Sequence, residues 1–173
     1  MLRSRLTQIT EQEPVSQHAH LLEELHTEVT HDIQQQPSAI SIAEYTCAVH
    51  AFDLVGDERY VEIASSLLGR TFAGKGFIDF LLHQGMLTSR DDGVILLGDL
   101  IIYFCGHDFR HIGRVVGPDR VLSKWGRGLL VKHGLWEVPE VYGNRVEYFV
   151  GLDKELSFAL FQRYAESHGF TFK

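Results

Sequence analysis

Cys47 and His111 are the two residues of this sequence whose types and positions could form a nucleophile–base pair. Cys47 directly follows Thr46, a residue type that caps helix N-termini, so that its thiol falls in the first turn of a predicted helix. A thiol in that position loses its proton more readily, because the helix dipole stabilises the thiolate. His111 begins a predicted strand, whose backbone holds the ring in place as a general base requires. Together they predict thiol chemistry, with Cys47 as nucleophile and His111 as base.

Each of the two residues also has a purely structural interpretation. A cysteine next to residues such as Ala48, Ala51 and Phe52 is commonly a small buried hydrophobic residue. A single histidine at the beginning of a strand is commonly a partly exposed residue of a sheet edge. The catalytic hypothesis therefore depends on whether Cys47 and His111 come together in the fold.

Short motifs around these residues follow one another in a distinctive order. A cysteine that opens a helix is followed by Gly98-Asp99-Leu100 at the start of a strand, and then by His111-Ile112-Gly113 at the start of the next. This arrangement resembles the NlpC-type branch of the papain-like cysteine peptidases and amidases. The resemblance covers roughly residues 45–150, and the usual Asp-Cys-Ser is here Thr46-Cys47-Ala48. It implies a papain-like fold and cleavage of an amide or related acyl bond.

The resemblance also implies a third, polar residue that orients the histidine from the strand that follows it. Ser123 lies at that position. Two hairpin registers stay open: a two-residue loop at Pro118-Asp119 places Lys124 on the His111 face of the sheet, and a three-residue loop places Ser123 there. We favour Ser123 as the orienting residue. The other polar residues considered for this role are Lys124, His133 and Glu137.

Two further motifs suggest a metal ion or a phosphate, and both are incomplete. Cys105, His107 and His111 offer three zinc-binding side chains, but no fourth ligand follows at a familiar spacing. Gly74-Lys75-Gly76 suggests a phosphate-binding loop, but no predicted strand precedes it and no Ser or Thr follows the lysine. We therefore expect neither a metal ion nor a cofactor.

The composition is that of an ordinary globular chain of 173 residues, a length typical of one domain. A net charge of −7 argues against nucleic acid as a partner, because no basic stripe is available to release counterions from phosphates. No apolar run is long enough for a membrane span, and the basic start of the chain lacks the apolar core of a signal peptide. With two cysteines, too few for a disulfide framework, we expect a cytoplasmic protein or one exported without a cleavable signal.

The predicted elements come in the order of helices first, strands second and one helix last. This order predicts an α+β fold, papain-like by the resemblance, with N-terminal helices packed on an antiparallel sheet. We divide the chain into a helical extension over residues 1–40 and a hydrolase domain over residues 41–173. The predicted elements are helices over 16–36, 47–55, 58–69 and 77–84, strands over 94–104, 111–116, 120–125 and 146–150, and a last helix capped by Asp153 and ending near Gly169.

The function expected from these features is hydrolysis of a peptide or amide substrate. Among such substrates the resemblance points to the peptides of bacterial cell walls. In this reaction His111 removes the proton of Cys47, the thiolate attacks the carbonyl, and water releases the acyl-enzyme. The alternative is a non-catalytic binding module with the same fold and an undefined protein partner, since a fold does not determine a function.

Overall fold

The computed structural model describes residues 1–38, 40–41, 44–66, 71–91 and 93–171. These residues form an α+β fold built on a six-stranded antiparallel sheet, which confirms the predicted fold class. The helices are α1 (Leu2–Gln12), α2 (His18–Glu28), α3 (Cys47–Ala51), α4 (Glu58–Ser65), α5 (Lys75–His83) and α6 (Lys154–Ser167). The strands are β1 (Gln34–Gln35), β2 (Leu100–Cys105), β3 (Asp108–Gly117), β4 (Arg120–Lys124), β5 (Leu130–Gly134) and β6 (Arg145–Phe149). Short 3-10 helices occupy Val15–Gln17 and Glu140–Tyr142.

The sheet separates two hydrophobic cores. Its strands follow the order β1-β5-β4-β3-β2-β6, so that β3 and β4 lie at the centre. Side chains alternate between the faces along each strand. In β2, Ile101 and Tyr103 join the core with α1 and α2, whereas Ile102 and Phe104 join the core with α3 to α6. Burial of both faces explains why β2 is apolar at almost every position.

Two helix caps predicted from the sequence are confirmed. The Thr46 hydroxyl accepts a hydrogen bond from the Val49 amide at the start of α3, with 3.2 Å between the atoms. The Asp153 carboxylate accepts one from the Leu156 amide at the start of α6, at 2.8 Å. Gly169 follows the end of α6 with a φ of +86°, a conformation that favours glycine.

The first predicted helix is shorter than expected. The prediction ran over residues 16–36, but α2 ends at Glu28, because the next residue, Val29, has an extended backbone. The segment that follows forms β1, whose residues pair with β5 at the edge of the sheet. Hydrogen bonds to a strand far along the chain therefore replace the helical ones that local spacing predicted.

Other predicted boundaries differ for local reasons. The helix predicted over 47–55 ends at Ala51, because Asp53 adopts a φ of +54°. The strand predicted over 94–104 begins only at Leu100, because the Asp99 amide bonds to the Leu96 carbonyl in a turn. Helix α1 and strand β5 were not predicted. The end of the helix predicted over 58–69 lies outside the described residues.

The β3–β4 hairpin combines a two-residue loop with a β-bulge. The bulge between Val115 and Gly117 shifts the register, so that Val115 lies opposite Val121. Opposite residues share a face of the sheet, and alternate residues along each strand share it too. Ser123 therefore lies on the same face as His111. This is the register we favoured, although a bulge produces it in place of a three-residue loop.

The Gly98-Asp99-Leu100 motif joins loops at one end of the sheet. The buried Asp99 carboxylate accepts two hydrogen bonds from the Arg90 guanidinium, at 2.9 and 3.0 Å. It also accepts from the amides of Leu96 and Gly151. The motif therefore holds the loop before β2 against the segment after β6. Among the described residues, no helix is long and apolar enough to cross a membrane.

Candidate functional site

Cys47 is the first residue of α3, and its side chain is half-buried. Burial raises the pKa of the Cys47 thiol, while backbone hydrogen bonds from Ile112, Ala48 and Cys47 itself, and the charge of Lys124, oppose that rise. Helix α3 has only five residues, so its dipole contributes less than the sequence suggested. The resting group is therefore a protonated thiol, surrounded by donors that would stabilise a thiolate.

His111 is fully buried on the opposite face of the sheet, toward α1 and α2. Its ring stacks on Tyr142, and Tyr103 of the neighbouring strand lies 5.8 Å away between ring centroids. Burial, followed by the positive charges of His133 and Lys124, holds the pKa of His111 well below its usual range. The ring is therefore neutral near pH 7, and its Nε2 atom has no hydrogen-bond partner among the described residues.

Cys47 and His111 lie on opposite faces of the sheet, near the place where the pairing of β3 with β4 ends. The described pairing of these strands stops at Arg114, so that Ile112 has no partner on β4. The backbone of Ile112 instead bonds to the Cys47 thiol. On the other side of this opening, the charge of Cys47 contributes to raising the pKa of Tyr142, the residue stacked on His111. The thiol thus lies on the α3 face of the sheet and the imidazole on the face toward α1 and α2, and no hydrogen bond joins them in the described structure.

The Ser123 hydroxyl belongs to a directional chain of buried hydrogen bonds. His133 Nδ1 donates to the Gly134 carbonyl at 2.7 Å, so that its Nε2 must accept from Ser123, at 2.8 Å. Ser123 in turn accepts from Trp125 Nε1 at 3.1 Å. The hydroxyl proton is therefore given to His133 and not to His111. The role of Ser123 as orienting residue stays a prediction.

The other residues considered for the orienting role occupy different environments. Lys124, the last residue of β4, points to the α3 face and has no exposed surface. Glu137 accepts hydrogen bonds from the backbone amides of Asp32 and Gly134, at 2.8 and 2.7 Å, and so joins two loops. His133 lies on the His111 face, and its charge is one of those that lower the pKa of His111.

Tyr142 is a site residue that the sequence did not reveal. It ends the 3-10 helix after β5, and helix α1 holds this segment in place. Thr7 of α1 accepts a hydrogen bond from the Glu140 amide at 2.7 Å, and the Arg3 guanidinium donates to the Gly143 carbonyl. Gly143 has a φ of +103°, and a Cβ there would collide with backbone of the neighbouring strand. These contacts join distant parts of the chain, so no local pattern could have identified them.

The second cysteine of the chain, Cys105, belongs to a strand and not to a helix. Cys105 ends β2 and is exposed, and the loop that follows it leads into β3. Among the described residues, no group of three or more His, Cys, Asp or Glu side chains could hold a metal ion.

Comparison of the chain with protein-family models, with curated proteins and with solved structures gives no match. The fold and the site define an α+β protein with a half-buried thiol on one face of its sheet and a buried histidine on the other.

Proposed function

We propose that the chain is a papain-like cysteine hydrolase that cleaves an amide or related acyl bond, with Cys47 as nucleophile and His111 as base. One observation supports this most strongly. Cys47 is the first residue of a helix that packs on the antiparallel sheet against β3, the strand that carries His111, and its thiol is only half-buried. A thiol in the first turn of a helix meets backbone N–H groups that favour its anion.

In this proposal the resting site holds a neutral thiol and a neutral imidazole. Both states follow from burial, which raises the pKa of Cys47 and lowers that of His111. His111 then acts as a general base at the moment of attack, taking the proton of Cys47 as the sulfur bonds to the substrate carbonyl. The protonated His111 returns that proton to the leaving amine, and water hydrolyses the thioester.

The oxyanion of the tetrahedral intermediate would be stabilised by backbone N–H groups at the start of α3. The Thr46 side chain accepts from the Val49 amide, which leaves the earlier amides of Cys47 and Ala48 for other partners. Both amides act to lower the pKa of the Cys47 thiol. They are therefore in position to donate to negative charge that develops beside the sulfur.

A groove next to α3 could receive the acyl side of the substrate. It has a volume of about 450 Å³, and Tyr45 and Thr46, which precede the nucleophile, contribute to its wall, whereas Cys47 itself is not among its lining residues. Aromatic side chains from other elements, Tyr60 and Phe72, complete it. An apolar or aromatic acyl group fits this lining better than a charged one. We propose peptides, those of cell walls included, as the substrate class.

The experiment is a substrate panel of blocked dipeptide amides and cell-wall peptide fragments, with cleavage followed by mass spectrometry. The proposal expects cleavage of at least one class, lost in Cys47→Ala and retained in Cys105→Ala. Cleavage that survives Cys47→Ala would contradict the proposal, because the nucleophile would then be another group.

A second candidate is a non-catalytic binding module, and it is favoured by the position of the His111 ring on the face of the sheet opposite α3. The raised pKa of Cys47 is what an inert buried cysteine would show. In that case Cys47→Ala should leave both folding and partner binding unchanged, and the substrate panel should give no product.

A further inference from the structure

A groove lies beside the β3–β4 hairpin, on the face of the sheet that carries α1 and α2. Its volume is about 490 Å³, which is within the range of binding pockets in proteins. Val121, Leu135 and Tyr148 line it, and all three belong to the core on that face or pack against it. Cys47 packs against the core on the other face, so the groove is separate from the proposed hydrolase site.

A run of four consecutive apolar residues, 94–97, forms one side of this groove. Ile95, Leu96 and Leu97 line it, and the four residues of the run are between 45% and 74% exposed. Exposed apolar residues that follow one another in this way are unusual in a folded chain unless they contact a partner. The groove and the run together therefore indicate a docking surface.

Hydrogen bonds hold the apolar run in its exposed position. The Leu96 amide donates to the buried Asp99 carboxylate at 2.8 Å, and the Asp99 amide donates to the Leu96 carbonyl at 3.2 Å. The Gly98 amide donates to the Val115 carbonyl at 2.8 Å, which attaches the loop to β3. Because the loop is already ordered, a partner that binds it does not have to supply the free energy of ordering it.

The charges at the groove favour a basic occupant. Arg120 lines the groove, but its guanidinium lies 2.6 Å from the Asp32 carboxylate and 3.8 Å from that of Glu137. Asp119 also lines the groove, is exposed, and forms no ion pair within 4.0 Å among the described residues. Three carboxylates thus stand against one guanidinium, and Asp119 is available to a cation.

Two other occupants fit these charges less well. A second copy of the chain, bound by a two-fold axis, would place the same carboxylates against one another, and each copy has a net charge of −7. An anionic lipid surface attracts basic residues and would repel the carboxylates of this groove. A protein segment with basic side chains has the complementary charge.

We propose that the groove docks a basic segment of a partner protein, which inserts a large apolar side chain beside Leu97 and places a lysine or arginine against Asp119. The apolar lining supplies the contact area, and the carboxylate selects the charge of the partner. This surface goes beyond the proposed hydrolysis, since neither Cys47 nor His111 takes part in it.

The test is an NMR titration of the isotope-labelled protein with two acetylated and amidated pentapeptides, Lys-Leu-Phe-Leu-Lys and Glu-Leu-Phe-Leu-Glu. The lysine peptide should shift the backbone amides at 94–97 and 119–121. It should also bind about fivefold more tightly than the glutamate peptide, as expected for ion pairs at an exposed site. Equal binding of the two peptides, or shifts confined to other parts of the chain, overturns the inference.

Variants separate the apolar contact from the charge. Leu97→Ser should weaken binding of the lysine peptide about tenfold, whereas Leu156→Ser, at an exposed position of α6, is the matched control and should bind like the parent. Asp119→Asn should remove the preference for the lysine peptide, because asparagine tolerates the φ of +53° without the charge. Cys47→Ala should bind like the parent, and a loss of binding there would place the peptide at the hydrolase site and overturn the inference.

Sedimentation and vesicle binding identify the other occupants. A dimer of the parent protein that Leu97→Ser abolishes would mean that a second copy fills the groove. Binding to vesicles of phosphatidylcholine and phosphatidylserine that the same change abolishes would mean that a lipid surface does so. Either result overturns the inference; the expected result is a monomer that binds the lysine peptide and leaves such vesicles unbound.

Discussion

The ring of Tyr142 lies almost parallel to the ring of His111, with 4.0 Å between centroids and 12° between planes. This contact fixes the orientation of a histidine that has no hydrogen bond through Nε2 among the described residues. In the proposed site, stacking therefore does part of what a hydrogen-bonded orienting residue would do. It also brings helix α1 into the site, since α1 holds the Tyr142 segment.

Replacement of Tyr142 tests the stacking. Tyr142→Phe keeps the aromatic ring and should retain the acylation rate of Cys47. Tyr142→Ala opens a cavity beside His111 and should lower the free energy of unfolding by about 3–5 kcal/mol, as other large-to-small core changes do. Acylation should slow in the same variant, measured under conditions where it is still folded. An alanine variant that acylates at the parent rate would show that stacking does not orient His111.

Ser123→Ala should destabilise the fold. The change leaves the Trp125 N–H and His133 Nε2 without a hydrogen-bond partner. The free energy of unfolding, measured with urea, should fall by about 1–3 kcal/mol for each of these groups. Ser157→Ala is the matched control, because Ser157 is equally buried but its hydroxyl has no partner in the described structure. Its removal should be neutral or slightly stabilising. Equal stability of the two variants would contradict the hydrogen-bond chain.

Thr7→Val should loosen the segment that carries Tyr142. The valine keeps the shape of threonine but cannot accept from the Glu140 amide, a loss of about 0.5–1.5 kcal/mol. Hydrogen exchange of the amides at 140–142 should accelerate. Thr27→Val, on exposed surface of α2, serves as the control and should leave those amides unchanged. Equal exchange in both variants would mean that α1 does not hold the segment.

Stability should depend on pH between about 4 and 6.5. Burial lowers the pKa of His50 and of His133 to about 4, whereas the unfolded chain has the ordinary value near 6.5. The folded state binds fewer protons in this window, so the free energy of unfolding falls as the pH decreases through it. Each of the two histidines lowers the free energy of unfolding by at most about 1.4 kcal/mol for each pH unit of acidification.

Urea unfolding across this pH range is the measurement. His50→Leu should reduce the slope by the share of one histidine, while His20→Leu should not, because the His20 side chain is largely exposed. Carboxylates titrate at the lower end of this window, so the comparison of the parent with His50→Leu is what isolates the share of the histidine. A stability that is constant from pH 6.5 to 4 would contradict the buried, neutral state of these rings.

The sequence predicted those features that depend on neighbouring residues. Thr46 and Asp153 cap their helices within a few positions of the chain, so their residue types were sufficient. The fold class followed from the order of the elements. The length of α3 did not, because it depends on the left-handed conformation of Asp53.

The long-range features of the site lay beyond sequence reasoning. The bulge between Val115 and Gly117 places Ser123 on the same face of the sheet as His111, and no local sequence pattern predicts this bulge. The stacking of Tyr142 on His111 depends on a segment held by α1, far away along the chain. Burial, which sets the resting charge of Cys47 and His111, depends on the packing of both cores.

Acylation of Cys47 is the most direct test of the central claim, that this thiol is a nucleophile activated by His111. The protein is treated with p-nitrophenyl acetate, quenched in acid and mapped by peptide mass spectrometry, with the exposed Cys105 as internal comparison. We expect the acetyl group on Cys47 before Cys105, at a rate that is level near neutral pH, where both partners are neutral, and that rises only as the thiol ionises at higher pH. The modification should be lost in His111→Ala and retained in His107→Ala. Acetylation of Cys105 alone, with Cys47 unmodified in the folded protein, would contradict the account.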